Sequence, residues 1–157
     1  MNLKLAREIK EMARLDQKAC KTNTYNLVLA KKNLAKMRKI INKFGWPTIG
    51  LVGKKASHLA WLLVQHADCD LKFQKHCLGL VKEAAKRGEA SFEDWAYLTD
   101  RVLVNSGKPQ LFGTQFHLDK KGRLVPRPVK DRATLNQRRK SVGLGSFEKY
   151  ERKMKKI

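Results

Sequence analysis

A cluster of side chains able to move a proton sits on the most apolar stretch of this chain. His58, Gln65, His66 and Asp68 lie on or just after ASHLAWLLVQHA, residues 56–67. Histidine titrates near neutrality, and Asp68 or Asp16 could fix its tautomer, which is the equipment for general acid and base catalysis. His58 and His66 are eight residues apart, a rise of about 12 Å along a helix. That is too far to share one ion, so no metal site is expected. Read singly, each histidine is a core imidazole satisfied by a backbone carbonyl. Together they point to a site.

Asp16 falls between Ile9 and Met12 on the apolar stripe of the first helical segment, at 100° per residue. A carboxylate there needs a partner from elsewhere in the fold, or else it caps Cys20 or Lys21 at a helix end. Asp100 and Arg101 interrupt the apolar run from Trp95 to Val104. Arg101 stays charged when buried, so facing inward it needs a carboxylate, Asp16 being one candidate, or an anionic ligand. The alternative is a surface ion pair. GKPQLFGTQF, residues 107–116, places Gln110, Thr114 and Gln115 between glycines, as suits a loop that closes on a polar ligand. It lacks the spacing of a phosphate loop, and no nucleophile-elbow, zinc-protease or EF-hand pattern occurs. Desolvating isolated polar groups is costly, so Asp16, His66 and Arg101 are expected to converge on one pocket with Gln110 and Gln115.

The elements that must position these residues are helical through residue 106. Apolar residues recur at helical spacing in 3–20 and 26–43, and Gly45, Trp46 and Pro47 stop the second segment. Residues 56–67 read as a central buried helix. Asp70 is placed to cap a fourth helix ending near Gly88, and Ser91 with Asp94 to start a fifth. After Pro109 the pattern changes. QFHLDKKGRLVPRP has short extended runs around a D-K-K-G turn, and residues 131–142 and 147–156 read as two more helices. The expected fold is an all-α helical bundle of five or more helices, with a short hairpin or irregular loop near 111–128.

At 157 residues the chain is expected to be a single domain, 1–157, with 1–13 and 151–157 as basic ends open to fraying. No run is long and apolar enough to span a bilayer, and residues 1–10 lack the apolar core of a signal peptide. A cytoplasmic protein with no membrane contact is expected. Cys20, Cys69 and Cys77 lack C-x-x-C spacing and read as reduced, buried thiols. The net charge is +21, divided as +9 over residues 1–43, +2 over 44–113 and +10 over 114–157. Charge and chemistry thus occupy different parts of the chain. The basic ends suit nucleic acid or another polyanion, or are the solvated faces of amphipathic helices.

D16-Q17, the run from Asn33 to I-I-N-K-F-G-W-P at Pro47, A-W-L-L-V-Q-H-A-D (60–68), F-Q (73–74), A-Y-L-T-D-R-V (96–102), G-K-P-Q-L-F-G-T-Q (107–115) and R-R-K-S-V-G-L (138–144) follow in order. This series resembles a family of small bacterial proteins catalogued as a domain of unknown function, over about residues 14–150. The resemblance adds Gln17 and Asn33 to the polar positions of interest, and carries no activity. Cys20, where that pattern has a basic residue, and Phe112, where it has tyrosine, are departures.

Three functions compete. In an enzyme, His66, Asp68, Asp16 and Arg101 would be catalytic, with Gln17, Asn33, His58, Gln65, Asp100, Gln110, Thr114 and Gln115 binding substrate. A metal-independent hydrolase or transferase acting on a phosphate-bearing molecule, with no cofactor, fits those residue types. In a binding module the basic ends grip nucleic acid and the polar centre is structural. Size alone suggests an immunity or antitoxin protein.

Overall fold

The computed structural model describes residues 1–22, 24 and 26–156. It is 64% helical, with eight helices and one two-stranded sheet among the described residues. The expected all-α class holds. Internal contacts divide the chain into two compact units, Met1–Asp94 and Trp95–Ile157.

The first unit is built from α1 (Leu3–Lys21), α2 (Leu27–Phe44), the short α3 (Ile49–Val52), α4 (Lys54–Gln65) and α5 (Leu71–Lys86). Each start is chemically marked: Asn2, Asn26, Thr48 and Asp70 accept backbone N–H bonds from Leu5, Leu29, Leu51 and Phe73. The apolar stripe of α1 (Leu5, Ile9, Met12) packs on α4, which also meets α2 and α5. Ala56, Ala60 and Val64 of α4 are fully buried, as the apolar run requires. The N-terminal residues are helical from Leu3 rather than loose, because Leu5, Ala6 and Ile9 are buried. α3 has no counterpart in the sequence reading, since four residues are too few to show a period.

α6 (Phe92–Asn105) begins at Ser91, whose hydroxyl accepts from the Glu93 and Asp94 N–H groups, and runs from the first unit into the second. The second unit continues with β1 (Phe116–Leu118), β2 (Leu124–Pro126), α7 (Leu135–Ser141) and α8 (Phe147–Met154). β1 and β2 pair antiparallel, His117 opposite Val125, around the D-K-K-G turn, where Gly122 adopts a φ of +73°. Ala96, Phe112 and Val142 form the core here, flanked by Trp95, Leu111 and Leu144. α7 starts four residues later than the periodicity indicates. Asp131 has a φ of +45°, outside the helical region, and its carboxylate accepts from the Thr134 hydroxyl, so residues 131–134 form a turn. At the C-terminal end α8 stops at Met154; Ile157, part of the end expected to fray, lies outside the described residues. No helix among the described residues is long and apolar enough to cross a membrane.

Candidate functional site

In the first unit, Asp16 reaches the interior from the last third of α1 and is fully buried. Its Oδ1 accepts from Asn33 Nδ2 of α2 at 3.1 Å, and its Oδ2 lies 2.6 Å from Nδ1 of His66, which caps the C-terminal end of α4. Three elements therefore meet on one carboxylate. The helix-cap alternative for Asp16 is excluded by these partners. A histidine oriented at Nδ1 by a buried carboxylate is held in one tautomer, and His66 keeps about a quarter of its side chain exposed, at 24%. Cys20 follows Asp16 by one turn on the same face of α1 and is exposed. Burial first, and the charge of Asp16 second, hold its thiol above the ordinary value.

Asp68, the other candidate to orient His66, is exposed and accepts from Gln74 Nε2 at 3.2 Å. The same Gln74 amide bonds the carbonyls of Val64 and Gln65, tying the end of α4 to α5. Gln17 is half-buried beside Asp16. Gln65 is buried, and its Oε1 accepts no hydrogen bond from the described residues. The expectation of three buried thiols is corrected. Cys77 alone is buried, its pKa pushed up to about 12 by burial, whereas Cys20, in the last turn of α1, and Cys69, in the turn between α4 and α5, are exposed.

His58 belongs to a separate place. Its Nδ1 is 2.9 and 3.1 Å from the two oxygens of Asp94, and its ring stacks on Trp61 at 4.9 Å. The pair edges a cleft of about 440 Å³ that Lys54, Ser57, Ser91 and Glu93 also line. The hydrogen bond to Asp94 raises the His58 pKa, against the opposing effect of burial. The folded state thus holds this proton more tightly than the unfolded chain. The pair's contribution to stability is complete below the ordinary histidine value, about 6.5, and is lost as pH rises through the raised one. The melting temperature of wild type should therefore exceed that of His58→Gln by a margin that shrinks from mildly acidic to alkaline pH. A constant margin would contradict it.

In the second unit, Asp100 of α6 is fully buried and organises the Leu111–Gln115 loop. It accepts from the N–H groups of Leu111 (2.7 Å), Phe112 (3.0 Å) and Thr114 (2.9 Å) and from the Thr114 hydroxyl (2.9 Å). Burial raises its pKa and the four donors act the other way. Gln110, also fully buried, accepts from Gln115 N–H and donates to the carbonyls of Gln115 and Arg127. Arg101 Nη1 donates to Gln115 Oε1 at 3.1 Å, and Gln115 Nε2 to Thr114 Oγ1 at 3.0 Å. Asp100, Arg101, Gln110, Thr114 and Gln115 are thus one network, as Asp16, Asn33 and His66 are another, each within its own unit. The carboxylate oxygens of Asp16 are engaged by Asn33 and His66.

Two arginines of this network escaped the sequence reading as individual residues. Arg139, 2% exposed, donates to the carbonyls of Gly145 (2.7 Å) and Phe112 (2.6 Å) and lies over the Tyr150 ring at 5.0 Å. Arg138 donates to the carbonyls of Leu111 and Asp131. Their signal was R-R-K-S-V-G-L itself, two adjacent arginines in the last turn of a short helix.

Neither the curated proteins nor the solved structures hold a match to this chain. A family model does match, over residues 4–157, from the first turn of α1 through α8. The chain belongs to that family, DUF6624, a family of unknown function.

Proposed function

We propose that this protein is a hydrolase or transferase acting on a phosphate-bearing substrate, with His66 as general acid or base and Asp16 as the carboxylate that positions it. The observation that carries the reading is the 2.6 Å contact of His66 Nδ1 with a fully buried carboxylate whose other oxygen is held by Asn33. A surface imidazole has no need of a desolvated anion behind it, whereas a proton-transfer group gains a fixed ring orientation from it. The net charge of +21 favours an anionic substrate.

The test is turnover of a panel of phosphate mono- and diesters by the metal-free protein. His66→Gln should lower the rate by about 10²- to 10⁴-fold, the usual worth of a general acid or base, without lowering the melting temperature. Absence of turnover by wild type across the panel, or equal rates for both proteins, would overturn the reading.

A groove of about 330 Å³ between α1 and α2 favours a second reading, a nucleic-acid-binding module. It is lined by Lys4, Lys36, Lys39 and Lys43 around Leu5 and the exposed edge of Phe44. Four ammonium groups beside an aromatic ring suit a single strand, whose phosphates and bases they would meet. Salt-dependent oligonucleotide binding with no ester turnover would favour this module over the enzyme.

A further inference from the structure

The last turn of α1 and the C-terminal end of α4 bring together one carboxylate, one thiol and one imidazole. A ligand atom from each of Asp16, Cys20 and His66 lies within 4.8 Å of both others. We propose that these three side chains bind one divalent ion of the zinc type, with solvent at the fourth position. The site goes beyond the acid-base reading, because the ion takes the place of the proton between Asp16 and His66. The loaded state and the proton-transferring state exclude each other.

The donor set is oxygen, sulfur and nitrogen, which selects zinc or cobalt over magnesium or calcium. Asp16 and Cys20 are four residues apart and share a face of α1, so one helix presents two ligands side by side. Asn33 holds the Asp16 oxygen turned away from His66, as an outer partner orients a metal-binding carboxylate. Both helices point their C-terminal ends here, where carbonyl dipoles favour a cation. Cys20 is exposed and Asp16 buried, which provides an entry path and a dry floor. Bond lengths of about 2.0 to 2.3 Å put tetrahedral donors about 3.3 to 3.6 Å apart. Loading therefore draws the more distant donors inward, chiefly by rotation of the exposed Cys20 side chain, and widens the 2.6 Å Asp16–His66 contact. The thiol proton leaves to solvent, and the imidazole gives up its Nδ1 proton and takes one at Nε2, so that a neutral ring coordinates through Nδ1.

Cobalt(II) titration of the full, metal-free chain tests this without any substrate. One equivalent should bind, with visible bands of tetrahedral intensity and a near-ultraviolet thiolate-to-cobalt band. Cys20→Ser should abolish the thiolate band and weaken binding at least tenfold, and Cys69→Ser, at the other exposed cysteine, should leave both unchanged. A thiolate band that survives Cys20→Ser, or no cobalt bound by wild type at about 1 mM, would overturn the site. Because the spectrum is read without substrate, cobalt binding with no ester turnover would retain this site and remove the acid-base reading. Turnover without cobalt binding would do the reverse.

Discussion

Asp100→Ala is expected to destabilise the second unit by about 3–5 kcal/mol, the range for removing one partner of a buried charged network. The side chain touches no solvent and accepts four hydrogen bonds from a loop of otherwise irregular backbone. Alanine leaves three main-chain N–H groups and one hydroxyl facing a void, and each unsatisfied buried donor costs about 1–3 kcal/mol before water enters to relieve part of it. Asp100→Asn separates shape from acceptance. The amide fills the same space and its oxygen still accepts from the Leu111 and Phe112 N–H groups, but its NH₂ faces the Thr114 N–H and cannot accept from it, so part of the loss should remain. Chemical denaturation followed by the fluorescence of Trp95, which packs edge-on against Phe112 at 5.7 Å, reports on the loop directly. A loss below about 1 kcal/mol for both variants would mean that the loop holds its shape without the carboxylate.

Arg139→Met should lower stability by about 2–4 kcal/mol, and by less when Asp100 is already absent. Methionine keeps much of the apolar stem packed against Phe147 and Tyr150 but removes the donors to the Phe112 and Gly145 carbonyls. The coupling follows from a shared residue. Asp100 holds the N–H of Phe112 while Arg139 holds its carbonyl, so each restrains the same short stretch of main chain. Once one restraint is lost, the other acts on a loop already loosened. A double-mutant cycle should show an interaction of at least about 0.5 kcal/mol, the double variant losing less than the sum of the single losses. Strict additivity would show that the two side chains stabilise independent structures.

Most of the helical frame is legible in the sequence because its signals are local. Asp70 and Ser91 mark helix starts by satisfying N–H groups three residues or fewer away, and the stripe Leu5, Ile9, Met12 identifies a buried face from spacing alone. The hairpin turn is local in the same way, with Asp119 accepting from the N–H groups of Lys121 and Arg123. Asp131 is the instructive failure. Nothing in DRATLNQRRK forbids a helix from residue 131, yet Arg138, seven residues on, donates to the Asp131 carbonyl and stabilises the turn that delays it.

The sequence by itself narrowed Asp16 to two roles, a partner from elsewhere in the fold or a cap at a helix end, since a carboxylate on an apolar stripe is untenable alone. Only the tertiary structure decided that the partners are Asn33 and His66, residues 17 and 50 positions away, because that choice depends on how α2 and α4 pack against α1. It likewise decided that Asp100 serves main-chain N–H groups. Backbone donors are the same in every residue and carry no mark in the sequence. Their directions exist only once the loop is folded, and a buried carboxylate pairs with whatever donors the packing aims at it.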